Sequence, residues 1–267
     1  MASKNSWLSG SFVDGGERDM RRYLVLEIKR SILSYPFLIG LLIAMAGIAA
    51  WTLPKLQFAS EMGALRLFLW LHDGYISLLA PVIATIPFAQ SYAIERNSGF
   101  SRFVMQRLSL ARYQTAKLVS NALAGGLVLV IPLVGALIWV TAKYPMTVPD
   151  PNGNPPFFRN LDPPDPLVHM GLLIGLAFLF GATYATVGLA ASVLFRNPYY
   201  ANVIPFAIYI ILGFLFGLFG LGYLEPSVMW RPSNNTFATP ATVALQYLVV
   251  WSISLFVYIR FFRAKEE

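Results

Sequence analysis

The chain has 267 residues, of which 57% are apolar and only 12% carry a charge, about half the charged share of an ordinary soluble domain. So little polar surface excludes a soluble globular protein. Twenty Lys and Arg against thirteen Asp and Glu give a formal net charge of +7. The basic residues cluster beside apolar runs, which favours anionic lipid headgroups over nucleic acid as their partner. The chain contains no cysteine, which excludes disulfides and cysteine-ligated metals.

The N-terminal residues precede the first apolar run. Residues 1–19 are predicted to form a disordered cytoplasmic tail. In residues 20–35, apolar side chains recur about once per helical turn, at Met20, Leu24, Ile28, Ile32 and Tyr35. The basic side chains off that stripe are Arg21, Arg22, Lys29 and Arg30. This pattern predicts an amphipathic helix in the cytoplasmic membrane interface, with its basic side on lipid headgroups. An ordinary solvated helix leading into the first span is the alternative.

Six apolar runs without Asp, Glu, Lys or Arg predict six transmembrane helices, because a helix needs about 20 residues to cross the hydrocarbon core. They are residues 37–53, 74–94, 118–142, 167–195, 199–224 and 241–259. The second run can be extended back to Leu65, in which case His72 and Asp73 lie near the outer interface. The predicted fold is therefore an all-α polytopic membrane protein. Its transmembrane domain covers residues 36–260, and residues 261–267 form a short cytoplasmic tail.

Orientation is predicted from the distribution of Lys and Arg. With a cytoplasmic N-terminus, fifteen of these residues fall on the cytoplasmic side. The outer side receives five, namely Lys55, Arg66, Lys143, Arg159 and Arg231. Cytoplasmic loops carry an excess of basic residues, so both termini are expected in the cytoplasm.

Two outer loops are expected to differ in kind. Residues 143–166 contain eight prolines and read as an extended outer loop rather than a domain. Residues 223–240 suit a broken or re-entrant segment that caps the outer ends of the spans. The triplet Asn234-Asn235-Thr236 matches a glycosylation acceptor, although we interpret that match as coincidence.

No catalytic or metal-binding constellation is visible in the sequence. The two histidines, His72 and His169, fall at predicted outer span ends, and we expect both rings to be hydrated. The spans contain none of the carboxylates or cations that ion-coupled carriers usually place at membrane depth. The sequence also has no phosphate-binding loop, so any ATPase would be a separate polypeptide. Four polar residues either line a pathway or form interhelical hydrogen bonds: Ser120, Asn121, Asn202 and Gln246.

Small residues in three of the predicted spans are candidates for close helix packing. They are Ala122, Ala124, Gly125 and Gly126, then Gly181, Ala182 and Ala185, then Gly213, Gly217, Gly220 and Gly222.

The predicted cytoplasmic loop 95–117 carries the most informative pattern. A helix that begins after an N-cap at Ser98 would place several side chains on one side, namely Phe100, Phe103, Val104, Arg107 and Leu108. Such a helix suits a groove on a partner protein. The same helix packed flat on the membrane is the alternative, and the residues alone leave both open.

This loop is similar to that of the permease subunits of type-2 ABC exporters. The resemblance rests on Glu95-Arg96, Gly99-Phe100 and Leu108-Ser109, with Arg112 and Lys117 leading into the third span. The order of an interfacial helix, six spans and a broken outer segment before the sixth resembles that family too. The resemblance implies that the loop helix contacts a separate ATP-binding subunit through Glu95, Arg96, Gly99, Phe100, Phe103 and Arg107. It also implies that two copies of this chain assemble, and that ATP and Mg²⁺ bind the partner rather than this chain.

The sequence thus predicts a permease subunit of an ATP-driven exporter in the cell (cytoplasmic) membrane, in contact with membrane lipids and not with nucleic acid. A membrane scaffold or sensor that recruits a cytosolic partner is one alternative. An ion-coupled secondary carrier is another, and an intramembrane enzyme is the least favoured. The chain itself is not expected to be an enzyme.

Overall fold

The computed structural model describes residues 20–147, 165–232 and 238–266, with side chains to residue 263. The predicted tail 1–19, most of the Pro-rich loop and the Asn-Asn-Thr triplet lie outside these residues. Within them the chain is helical and contains no strand. The prediction of an all-α fold is confirmed for this part of the chain.

The helices follow in chain order. An N-terminal helix, α1, covers residues 20–32. The others are α2 (Tyr35–Thr52), α3 (Ala59–His72), α4 (Tyr75–Thr85), α5 (Ser91–Asn97), α6 (Phe100–Met105), α7 (Leu110–Lys143), α8 (Pro166–Leu194), α9 (Tyr200–Leu218), α10 (Pro226–Trp230) and α11 (Pro240–Glu266). Two 3₁₀ segments, Leu53–Phe58 and Gly222–Leu224, precede α3 and α10.

Local signals explain where two long helices begin. The Ser34 hydroxyl accepts a hydrogen bond from the Phe37 amide at 3.1 Å, which caps the start of α2. The Asp165 carboxylate accepts one from the Leu167 amide at 2.8 Å and caps α8. Each helix has a proline in its first turn, where a missing N–H costs nothing.

Five helical stretches among the described residues are long and apolar enough to cross a membrane, which identifies a multi-pass membrane protein. They are Tyr35–His72, Leu110–Lys143, Pro166–Leu194, Tyr200–Leu218 and Pro240–Arg263. The predicted second span, residues 74–94, is not one continuous helix. It is divided into α4, of 11 residues, and α5, with a turn at residues 86–90 between them. The turn contains Pro87, which cannot donate a helical hydrogen bond.

The stretch from Tyr35 to His72 contains two helices, α2 and α3, that run in different directions. After α2 the chain turns back, because the ring of Trp70 in α3 stacks on that of Trp51 in α2 with centroids 5.1 Å apart. The start of α3 lies beside the end of α7, where the Ala64 amide donates to the Pro145 carbonyl at 2.8 Å. Helix α3 therefore packs at one end of the bundle, which we name the distal end. The end that carries α1, α5 and α6 is the proximal end.

The core is centred on the contact between α7 and α8. A Cβ atom built on Gly181 would lie 2.2 Å from the carbonyl oxygen of Gly125, so only glycine permits this approach. The Asn121 amide adds an interhelical hydrogen bond to the Ala185 carbonyl at 2.7 Å. The predicted packing role of Gly125 and Gly181 is confirmed, whereas a Cβ atom on Gly213 would meet nothing within 4 Å.

Helix α10 packs into the distal end of the bundle. The indole of Trp230 donates to the His72 carbonyl at 2.9 Å, and its ring stacks on the His72 ring with centroids 4.6 Å apart. Arg231 pairs with Asp73 beside this stack. His72 and His169 are both fully buried, so the expectation of hydrated rings is wrong. The Trp230 ring of α10 and the Phe68 ring of α3 lie against His72, which the sequence places near the outer interface.

Candidate functional site

The proximal loop contains a tight junction between two short helices. Gly99 joins α5 to α6 and has a φ of +76°, in the left-handed region that glycine adopts without strain. The prediction that Ser98 is the N-cap of this helix is wrong, because Ser98 is the C-cap of α5 and Gly99 precedes α6. The Ser98 hydroxyl donates to the Glu95 carbonyl at 3.1 Å. Helix α6 ends at Met105, so the predicted continuous helical face through Leu108 is shorter than expected.

Helix α6 presents an exposed aromatic and basic surface, which we name the α6 face. Its members are Phe100, Arg102, Phe103, Gln106 and Arg107. Phe103 is 67% exposed and Phe100 is 47% exposed. Ser101 and Leu108 are buried, so they attach the helix to the bundle. Two exposed aromatic rings flanked by Arg are typical of a surface that binds another protein.

A buried ionic cluster lies directly behind this loop. The Lys117 ammonium, on α7, is 2.6 Å from the Glu95 carboxylate on α5 and 2.9 Å from the Glu27 carboxylate on α1. Arg30, also on α1, pairs with Glu95, and the Tyr113 hydroxyl donates to Glu95 at 2.5 Å. Glu27, Glu95 and Lys117 are all less than 5% exposed. The cluster thus joins three helices at one point.

The charges of the ionic cluster balance. Two carboxylates face two cations, which is the condition under which charges persist in a buried site. Burial by itself raises the pKa of the Glu95 carboxyl, but Lys117, Tyr113 and Arg30 outweigh it, and the pKa lies below its usual value. Glu95 is therefore ionised at neutral pH.

Further contacts attach α5 to the last turn of α8 and to the turn between α8 and α9. The Arg96 guanidinium donates to the Val193 carbonyl at 3.3 Å, and the Asn97 amide donates to the Arg196 carbonyl at 2.8 Å. The cation of Arg96 also lies over the Tyr92 ring, 5.8 Å from its centroid. Helix α5, which leads into the α6 face, is therefore held by α1, α7, the end of α8 and the α8–α9 turn.

The structure separates the six residues predicted to contact an ATPase. Phe100, Phe103 and Arg107 are exposed and lie on or just after α6, and Gly99 supports their turn. Glu95 is buried at 2% exposure, with its carboxylate oxygens occupied by partners within this chain, so it is not on the surface available to another protein. Arg96 is half-buried against Val193.

The predicted interfacial helix corresponds to α1. Arg21, Arg22, Lys29 and Arg30 are all exposed, and Arg30 in addition pairs with Glu95 in the ionic cluster. The predicted apolar stripe is only partly covered at Leu24, Ile28 and Ile32. Tyr35, the last residue of the predicted stripe, is exposed, and so are Val25 and Leu26 of α1, which lie off the stripe.

The four predicted pathway residues are dispersed. Asn121 bonds to α8, as described above, and the Ser120 hydroxyl donates to the Ala116 carbonyl of its own helix at 2.7 Å. The Gln246 amide donates to the Tyr223 carbonyl at 2.9 Å, and Asn202 is half-buried on α9. The hydrogen bonds of Asn121 and Gln246 fit the alternative that these residues join segments of the chain.

Sequence reasoning missed Glu27 and Tyr113, and it assigned Lys117 only to the approach to a span. The sequence did contain a signal for the buried carboxylates of this cluster. Glu27 is the only acidic residue in 20–35, and Glu95 is the only one in 74–149. A solitary carboxylate beside an apolar run needs a cation when it is buried.

In comparisons with protein-family models, with curated proteins and with solved structures, no match to this chain was found.

Proposed function

We propose that this chain is the membrane-spanning permease subunit of an ATP-driven exporter, with the α6 face as the docking surface for a separate ATP-binding subunit. The observation that carries the proposal is the pairing of an exposed aromatic helix with a buried ionic cluster immediately behind it. An exposed helix alone binds a partner. An exposed helix fastened to α1, α7 and the α8–α9 turn also transmits the partner's movement to the membrane helices.

Six crossings follow if α4 and α5 together form a broken span. Residues 75–94 would rise about 30 Å if helical throughout, enough to cross the hydrocarbon core. The fifteen-to-five distribution of Lys and Arg then supports an orientation with the proximal end and both termini in the cytoplasm. In this orientation the α6 face meets the compartment that supplies ATP.

The proposed mechanism is mechanical. Two copies of the chain form a translocation pathway, and two ATP-binding subunits lie beneath them with ATP and Mg²⁺. When ATP draws those subunits together, the seated α6 helices move and the ionic cluster carries the displacement to α1 and α7. Packed helices shift between discrete arrangements rather than deforming continuously, so the pathway alternates between inward and outward exposure.

A membrane scaffold that recruits a cytosolic protein is the second candidate, because the exposed rings of Phe100 and Phe103 suit any protein partner. The two candidates differ in the partner's activity. An exporter requires a partner that hydrolyses ATP, and a scaffold does not.

The test is purification of the tagged chain from its native membrane in mild detergent, with and without Phe103→Asp. We expect the parent chain to retain a stoichiometric partner that has a phosphate-binding loop and hydrolyses ATP, and Phe103→Asp to release it without aggregation. The matched control is Phe58→Asp, because Phe58 is 47% exposed at the distal end and should leave the partner bound.

Each contrary result identifies the failed step. If the bound partner has no ATPase activity, the exporter proposal is wrong and the scaffold proposal takes its place. If Phe103→Asp retains the ATPase as well as the parent does, the α6 face is not the docking surface. Absence of any ATPase in several mild detergents overturns the proposal.

A further inference from the structure

An apolar cleft of about 540 Å³ lies between α2 and α7 in the half of the bundle nearer the distal end. Its walls include Leu41 and Met45 of α2, Leu56 of the 3₁₀ segment, and Pro132 and Trp139 of α7. The one hydroxyl in the lining, that of Thr52, donates to the Ile48 carbonyl of its own helix at 2.7 Å. The lining residues therefore present an apolar surface, which suits a hydrocarbon chain.

On α7 the cleft is lined by Gly135, a position at which a larger side chain has room. A Cβ atom built on Gly135 meets nothing within 4 Å. The length of the cleft also fits one lipid tail. Its lining on α2 and the following segment extends from Leu41 to Leu53, a rise of about 18 Å, and one leaflet of the hydrocarbon core is about 15 Å thick.

Two lysines lie where the cleft reaches the distal end. Lys55 lies between the lining residues Leu53 and Leu56, and its ammonium is 4.5 Å from the centroid of the Trp70 ring. Lys143, in the last turn of α7, lies over the ring of the lining residue Trp139 at 5.8 Å. Within the described part of the chain, no carboxylate forms an ion pair with either ammonium. An aromatic ring holds a cation in place without neutralising its charge.

We infer that this cleft binds one acyl chain of an anionic phospholipid from the surrounding membrane, with the phosphate between Lys55 and Lys143. The tail is selected by the apolar walls, and the headgroup is selected by two cations that aromatic rings hold at the mouth. The inference goes beyond the proposed function and is independent of it, because it concerns a lipid site and not a transported solute or an ATPase.

The test is native mass spectrometry of the detergent-solubilised chain titrated with dioleoylphosphatidylglycerol or dioleoylphosphatidylcholine. The parent chain is expected to retain one phosphatidylglycerol and to bind phosphatidylcholine about 25-fold more weakly. The double variant Lys55→Gln/Lys143→Gln should lose this preference, at about fivefold per removed charge, whereas Lys55→Arg/Lys143→Arg should keep it.

A second pair of variants tests the tail. Gly135→Leu fills the cleft with a side chain that has room, and it should weaken phosphatidylglycerol binding at least tenfold. The matched control is Gly175→Leu on α8, where an added Cβ atom also meets nothing within 4 Å, and it should bind like the parent. Equal binding by Gly135→Leu and the parent overturns the inference. Equal affinity of the parent for the two phospholipids overturns it as well.

Discussion

The ammonium of Lys117 lies 2.6 Å from the carboxylate of Glu95, and both side chains are almost completely buried. The same ammonium is 2.9 Å from Glu27, so one cation on α7 contacts both α1 and α5, the helix that leads into α6. A charge pair at this position contributes little net stability compared with an apolar packing of the same shape. Its consequence is specific attachment, because loss of either partner leaves a buried charge unpaired.

Replacing Lys117 by Met should therefore be severely destabilising. The two carboxylates, Glu27 and Glu95, would share the half-exposed Arg30 as their remaining cation in the cluster. Removing one partner of a buried pair costs about 3–5 kcal/mol. We expect a large fall in the midpoint of thermal aggregation, measured as the monodisperse fraction that survives heating in detergent.

The control for this substitution is Arg112→Met. Arg112 lies on the same helix, but its side chain is exposed, so loss of its charge should change the midpoint little. Equal midpoints for Lys117→Met and Arg112→Met would show that the ionic cluster is not required for attachment of α1 and α5.

Acid should weaken the same attachment. Because the folded pKa of Glu95 lies below its usual value of 4.5, its ionisation stabilises the folded chain fully above about pH 4.5. That stabilisation is lost as the pH falls from there through the folded pKa, since the unfolded state takes up the proton first. The aggregation midpoint should drop over this interval.

The Glu95→Gln variant identifies the group responsible. It cannot titrate at this position, so as the pH is lowered from 6 to well below 4.5 its midpoint should change less than that of the parent. A drop of the same size in the parent and in Glu95→Gln would assign the acid sensitivity to other carboxyls.

Hydropathy predicted the long helices because a membrane span is a local property of about 20 successive residues. It did not predict that residues 74–94 divide at a turn containing Pro87, since a proline inside an apolar run is compatible with either a kink or a break. Nor did it predict the burial of His72, which depends on the Trp230 ring from a segment 158 residues away.

The candidate site was predictable only on its exposed side. The aromatic residues of α6 follow each other within one turn, so their common surface can be inferred from spacing. The ionic cluster depends on side chains far apart in sequence, with Lys117 22 residues from Glu95 and 90 residues from Glu27. Periodicity within one helix contains no information about such contacts.

The close approach of α7 and α8 at Gly125 and Gly181 leads to the last prediction. Gly181→Leu should push α8 away from α7, because a Cβ atom at this position already lies 2.2 Å from the Gly125 carbonyl oxygen. The displacement also stretches the hydrogen bond from Asn121 to the Ala185 carbonyl. Overpacking in a rigid core costs about 1–3 kcal/mol, so the aggregation midpoint should fall clearly.

The matched control for this contact is Gly171→Leu, ten residues earlier on α8, where an added Cβ atom meets nothing within 4 Å. A glycine replaced inside a helix gains about 1 kcal/mol of helix propensity, so this variant should be neutral or slightly more stable. The difference between the two variants isolates the steric effect from the propensity effect. If Gly181→Leu were as stable as Gly171→Leu, α7 and α8 would have to separate without loss, and the close approach at Gly125 and Gly181 would not be what holds these helices together.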